Sequence, residues 1–424
     1  MSQDVTFGAD PGRRRFARLA CLSLALVGWA NLAILGRAML SHDPPQAGFD
    51  LQLLLDAAGR VAVGGSPYDP NAVATGLQAR DLFYSYPPAV AQFLVPLSNL
   101  PTWLVLTGWC LGAAVGLVAV AALVARSPIG RASSAPVAIS LDAGLLTLAA
   151  APFFLPFAVA LLFGNVDAWF PLLLGAVALT VASGEAIPSR TASLAGGVAL
   201  AIASAAKLHP ATLAIWLAAC RPGASSRRIA ATVSGAAAAA GAAILALSLL
   251  IGGLAPWREY LHYLLLGGNA DLASPVNIGP ASQVALLAGN ADLARPLAVV
   301  FAIAAVVGTL VAARRVGDRL ESLTWAVVAS LVVLPVTWYH YPVALIPVAL
   351  AAWTRSRGRP GAGRVTAALA AAYLVADAAI VLPVALWLGV ALLFVAVRWS
   401  RPLAADPTPA GWTAMAPSLT PVRD

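Results

Sequence analysis

Asp50, Lys207 and His340 are polar residues set against long apolar runs, and their chemistry suits transfer to a hydroxyl. Asp50 follows an apolar run almost directly and opens a helical pattern of its own, Asp-Leu-Gln-Leu-Leu-Leu-Asp. A partly desolvated carboxylate within hydrogen-bond reach of a hydroxyl can take its proton as a general base. Aspartate at this place is equally a standard helix N-cap, and spacing alone leaves both readings open. Lys207, the only lysine in the chain, ends another apolar run in Lys207-Leu208-His209-Pro210. An ammonium there can pair with a phosphate as a compact point charge, or snorkel to lipid headgroups. Pro210 stops the helix, as expected where a helix end lines a cavity. His340 lies in Thr337-Trp338-Tyr339-His340-Tyr341-Pro342. Its imidazole can donate to a phosphate or hydroxyl, and aromatics such as Trp338 can stack on a sugar ring. An interfacial aromatic belt would have the same composition. In Gly164-Asn165-Val166-Asp167, Asn165 and Asp167 suit either sugar hydroxyls or the capping of the next helix.

The elements that must position these residues are membrane helices. Of 424 residues, 60% are hydrophobic and 10% charged, and the mean hydropathy is +0.83; soluble domains carry about 25% charged residues. Apolar stretches long enough for ~30 Å of hydrocarbon recur from end to end, so the fold class is an all-α polytopic membrane protein. The run from Phe16 to Leu40 exceeds a signal-peptide core and reads as a retained span. The net charge of +8 is nearly all arginine in short loops. That pattern is the positive-inside signature of topology and gives no reason to expect nucleic acid.

Arginine clusters sort the loops into two sets. They place both termini in the cytoplasm and predict about twelve transmembrane helices, at 19–40, 101–125, 138–162, 166–183, 192–207, 209–220, 229–252, 294–313, 322–337, 340–354, 365–379 and 382–398. Short segments such as 209–220 need packing within protein or a wet cavity beside them. The domains are then a basic cytoplasmic N-terminus (1–18), a transmembrane catalytic domain (19–398) and a disordered cytoplasmic tail (399–424) rich in Pro, Ala and Thr. Two outer loops are long, 41–100 and 253–293. Each is expected to carry an interfacial helix, at 50–63 and at Trp257–Leu266, with Trp257, Tyr260 and Tyr263 at the headgroup level.

This topology puts His42, His209, His262, His340, Lys207 and most aspartates on the outer side, so chemistry is expected there. Asp142 and Asp377 fall in or near spans and suggest only helix packing. Cys21, Cys110 and Cys220 have no paired spacing. The chain has no Walker loop, dinucleotide fingerprint or HExxH, and no histidine pair with ligand spacing, so neither a metal nor a cofactor is expected.

Taken in order, a first span, Phe49-Asp50, Gly65-Ser66-Pro67-Tyr68, Phe83-Tyr84-Ser85-Tyr86-Pro87-Pro88, Gly164-Asn165, Lys207-Leu208-His209-Pro210 and Trp338-Tyr339-His340-Tyr341 resemble glycosyltransferase family 87. Its members are polyprenol-phosphate-mannose-dependent mannosyltransferases with the GT-C membrane fold. The resemblance runs from about residue 20 to 355. It implies inverting transfer of a hexose, most often mannose in an α-1,2 bond, from polyprenyl-phosphate-mannose to a glycolipid or lipid-linked glycan acceptor. The site would be at the outer face of a bacterial cytoplasmic membrane. Asp50 takes the place of the family's base, and Lys207, His209 and His340 are expected near the donor phosphate. Tyr68, Tyr86, Asn165, Asp167 and Trp338 are expected at the substrate, and membrane lipids surround the protein. Two departures stand out: Gly164-Asn165-Val166-Asp167 replaces the family's Gly-Gln-x-Asn, and a polar Asn-Gln-Ser stretch is only loosely present at Asn277–Gln283. The competing reading is a secondary transporter. Against it, the halves show no obvious repeat, and the ionisable groups lie at the outer face rather than the midplane.

Overall fold

The computed structural model describes residues 11–42, 46–69, 84–126, 136–181, 190–219, 224–267, 272–357, 359 and 361–401. All regular elements among them are helical. They are α1 (Pro11–Leu40), α2 (Phe49–Ala62), α3 (Pro88–Leu94), α4 (Thr102–Arg126), α5 (Pro136–Ala150), α6 (Leu155–Leu162), α7 (Phe170–Val181), α8 (Arg190–Ala206) and α9 (Thr212–Ala219). After these come α10 (Ala224–Gly252), α11 (Ala255–Gly267), α12 (Pro280–Leu287), α13 (Ala294–Arg315), α14 (Arg319–Val332), α15 (Ile346–Ser356), α16 (Ala362–Ala378) and α17 (Ala385–Trp399). Six short 3₁₀ turns join some of them. The tail beyond Arg401, the first ten residues, Phe83 and Cys220 lie outside the described residues. Cys21 and Cys110 are free thiols.

The chain is a membrane protein, and fewer of its described helices are long and apolar enough to cross unaided than the about twelve spans read from loop charge. Among the described residues, four stretches are long and apolar enough to cross a membrane: Arg14–Leu40, Thr102–Ala125, Arg228–Gly252 and Ala291–Arg315. A fifth is a bent pair, in which Leu141–Phe153 and Leu155–Leu162 meet at 73°. The cause is local: Pro152 and Pro156 remove backbone donors where 138–162 was expected to run straight. Asp377 of α16 offsets the loss by accepting from the Leu155 amide at 2.8 Å, a role beyond the expected helix packing. Region 209–220 likewise becomes a 3₁₀ turn, His209–Ala211, followed by the eight-residue α9. Trp216 of α9 is buried and donates to Ser322 Oγ, so this short segment is packed in protein as its length requires.

Helices form at both sites expected to carry interfacial helices, and each buries part of its surface in the protein. In α2, Leu51, Leu54, Leu55, Ala57 and Ala58 are buried while Asp56 is exposed. In α11, Trp257 donates to Ser248 Oγ, and Tyr260 is buried against Tyr68. The Tyr263 side chain lies outside the described residues.

Glycine sets the junction that matters most. The turn after α6 passes through Gly164 at φ +67°, and a Cβ there would sit 2.6 Å from the Leu51 Cβ. Only glycine permits both the left-handed backbone and the close approach of α2. The start of α2 is then hydrogen-bonded to the end of α6: Gly48 N donates to Leu162 O at 2.7 Å and Leu51 N to Phe163 O at 3.1 Å. Gly164→Ala is expected to cost about 1–3 kcal/mol from backbone strain and overpacking. A thermal unfolding midpoint in detergent equal to that of the unchanged protein would refute this account of the junction.

Candidate active site

The junction of α2 and α6 puts Asp50 beside Asn165. Asp50 is not the N-cap of α2. Gly48 holds that position at φ 71° without a side-chain cap, and Asp50 sits in the first turn with its carboxylate directed elsewhere. Asn165 Nδ2 donates to Asp50 Oδ2 at 2.7 Å. The capping alternative is therefore overturned at Asp50, and capping belongs to Asn165: its Oδ1 accepts from the Asp167 amide at 2.9 Å and starts the 3₁₀ turn Val166–Trp169. Trp109 Nε1 donates to the Asn165 carbonyl at 3.2 Å and holds the turn from α4.

Asn165 also faces the lysine. Lys207 extends past the end of α8, and its Nζ lies 3.4 Å from Asn165 Oδ1 and 2.7 Å from Asp167 Oδ2. Asp167 is fully buried, and the Lys207 side chain is 12% exposed. A carboxylate removed from water needs a compensating charge, so Lys207 does not snorkel. Its ammonium is turned inward and lies 4.0 Å from the centroid of the Tyr341 ring, with Tyr86 5.5 Å away. His340 Nε2 lies 3.2 Å from the same Asp167 oxygen.

His209 is buried between Phe170 and Tyr341, parallel to the latter at 5.7 Å between centroids. Among the described residues, neither of its ring nitrogens has a hydrogen-bond partner, nor does Asp167 Oδ1. These are polar atoms that a bound polar group could satisfy. The Tyr86 phenol is within 3.4 Å of Asn165 Nδ2. Burial first, and then the charges of Asp50 and Asp167, push that phenol well above its usual pKa, so it remains a neutral donor.

The structure thus brings together Asp50, Tyr86, Asn165, Asp167, Lys207, His209 and His340. Tyr68 stands behind them: it is buried, its ring packs on Tyr84 and Tyr260, and its hydroxyl donates to the Tyr86 carbonyl. Trp338 is half-buried in the segment that carries His340. Among the described residues, no group of three His, Cys, Asp or Glu is placed to hold a metal ion.

Sequence reasoning left two contributors without a role. Tyr341 was legible only as part of an aromatic cluster, yet it covers both Lys207 and His209. Asn277 is fully buried and clips the loop before α12 to the His340 segment. Its Oδ1 accepts from Thr337 N and Gly279 N, both at 2.9 Å, and its Nδ2 donates to Pro335 O at 3.1 Å. Ile278 N adds a bond to Thr337 O at 2.8 Å, and Gln283 Nε2 donates to Asn277 O at 2.6 Å. The polar Asn277–Gln283 stretch was the available signal, but only the fold connects it to residue 337.

The sequence profile of glycosyltransferase family 87 matches residues 84–337, more than half of the chain. The chain belongs to glycosyltransferase family 87. No curated protein matches it, and no solved structure does. It is therefore a membrane glycosyltransferase, and family membership favours that reading over transport. The match contains Tyr86, Asn165, Asp167, Lys207 and His209, while Asp50 precedes it and Trp338, His340 and Tyr341 follow it. Asn165 is the hydrogen-bonded link from the matched region to Asp50.

The buried ion pair is testable directly. Asp167→Asn and Lys207→Met should each cost about 3–5 kcal/mol, because each leaves a buried charge uncompensated. Unfolding of the double variant should show a loss clearly smaller than the sum. Additive losses would mean that the two residues are not coupled.

Proposed function

We propose that this glycosyltransferase moves mannose from polyprenyl-phosphate-mannose to a hydroxyl of a glycolipid or lipid-linked glycan, with inversion and in an α-1,2 bond. The observation that carries the reading is the connection of one carboxylate, Asp50, to one buried cation, Lys207, through Asn165. Transfer from a lipid phosphate needs a base for the acceptor and positive charge for the leaving group, and these two residues supply them a single side chain apart. Asp50 keeps an oxygen outside its bond to Asn165 and is only partly buried, as suits a group that must meet an acceptor.

In the reaction, Asp50 takes the proton of the acceptor hydroxyl, whose oxygen bonds to the anomeric carbon. The bond from that carbon to the phosphate oxygen breaks on the opposite face, and polyprenyl phosphate leaves as an anion. Lys207, His209 and His340 stabilise the charge that develops on it. Asp167 holds Lys207 and His340 in place between turnovers. Tyr86 and Trp338 lie along the sugar. The proposal keeps the twelve-crossing topology with both termini in the cytoplasm, counting short and bent helices as crossings. The site then opens at the outer face of a bacterial cytoplasmic membrane.

The test is transfer of labelled mannose from polyprenyl-phosphate-mannose into lipid-extract acceptors. Asp50→Asn should lower the rate by about 10²–10⁴-fold, the span expected on loss of a general base, with an unchanged unfolding midpoint. Full activity in Asp50→Asn would remove it as the base. Transfer from a nucleotide-activated mannose instead would overturn the proposed donor.

A further inference from the structure

We propose that Arg14, Arg18 and Arg357 form a binding site for the phosphate of an anionic phospholipid, at the end of the helices opposite the candidate active site. The three guanidinium groups come from two separate parts of the chain and meet on one carboxylate, Asp142 of α5. Arg14 Nη2 donates to Asp142 Oδ2 at 2.7 Å and Arg18 Nε to Oδ1 at 2.9 Å. Arg357 Nη2 lies 3.8 Å from Oδ2, within charge contact but beyond a hydrogen bond. Among the described residues, three positive charges against one negative leave an excess of two, half shielded from water by the surrounding helices.

Arg357 is the member of this group that makes no hydrogen bond to Asp142. Its guanidinium is seated over the Trp353 ring at 4.5 Å, which fixes its plane and leaves its N–H edge for an acceptor. Burial lowers its pKa. Asp142 opposes that shift and Arg14 adds to it, as expected of a cation incompletely compensated by its neighbours. A second arginine group at the same end of α15 is different. Arg355 donates to Asp318 Oδ2 at 2.7 Å, to Ser400 Oγ and to the Val397 carbonyl, and buried Glu321 pairs with both Arg398 and Arg401. There Arg355, Arg398 and Arg401 each bond directly to Asp318 or Glu321, whereas Arg357 lies beyond hydrogen-bond distance of Asp142.

The surroundings select a lipid over a free anion. From Arg18 to Leu40, α1 rises about 33 Å, close to the ~30 Å of bilayer hydrocarbon, so the arginines sit at a headgroup level. Phe16 and Leu19 on α1 and Leu141 on α5, all strongly exposed, adjoin them in sequence and offer apolar surface for acyl chains. Arginines that served topology alone could each point to water and would not need to converge.

Native mass spectrometry of the full chain, released from detergent with phosphatidylglycerol or phosphatidylcholine, tests the proposal. Wild type should retain phosphatidylglycerol preferentially. Arg357→Gln should weaken that preference about fivefold, the contribution of one basic side chain near an anionic lipid surface. Asp142→Asn should preserve or strengthen it, whereas general damage to the fold would lower retention in both variants. Equal retention by wild type and Arg357→Gln, or equal loss in both variants, would overturn the site. So would inorganic phosphate raising the wild-type unfolding midpoint as much as phosphatidylglycerol does, since a free-anion site would then suffice.

Discussion

The carboxylate of Asp167 is fully enclosed by protein, and the arrangement of the candidate site follows from its need for a counter-charge. Burial in a medium of low dielectric penalises an isolated ion heavily, so Lys207 is drawn inward from the end of α8 when it could otherwise have reached headgroups. That pairing places the ammonium against Tyr341 and beneath Asn165, and brings His340 to the same oxygen. Asn165 then connects this buried charge to the less buried Asp50. A chain with a single lysine thus keeps its one ammonium inside the protein, paired with Asp167.

The helices that carry these groups are broken next to them. Pro152 and Pro156 bend the α5–α6 pair, Gly164 turns the chain left-handed, Pro210 ends the run at His209, and the irregular turns after α14 present His340. In hydrocarbon, irregular backbone is tolerated only where protein or a polar cavity satisfies it. The breaks are therefore gathered on one another, with Asn277 and Asp377 accepting from freed amides. A bundle of uninterrupted spans would have been simpler to insert but would have had no interior place for a polar site.

Charge is handled differently at the two ends. At the site, each ionic group is joined to another through a short chain of contacts. At the opposite end, Arg355, Arg398 and Arg401 bond directly to Asp318 and Glu321, while Arg357 stands beyond hydrogen-bond distance of Asp142. Both ends are rich in ionisable groups, and they differ in how closely each charge is partnered.

The sequence by itself determined the class of the molecule, because hydropathy and arginine placement reflect the cost of moving polar groups into lipid one residue at a time. It also marked Asp50, Asn165, Asp167, Lys207, His209 and His340, since polar residues between apolar runs are costly wherever they fall. The tertiary structure decided which partner each one meets. Capping at Asp50 and snorkelling at Lys207 were locally as reasonable as catalysis, and the contacts with Asn165 and Asp167, distant in sequence from both, are what removed them. Helix division was illegible for a related reason: a proline interrupts or merely bends a span according to whether a distant acceptor such as Asp377 can meet the freed amide. Tyr68 shows the limit from the other side, as its motif suggested substrate and its burial makes it a support for Tyr86. Local sequence carries the cost of placing a group, and only the fold carries the identity of the partner that offsets it.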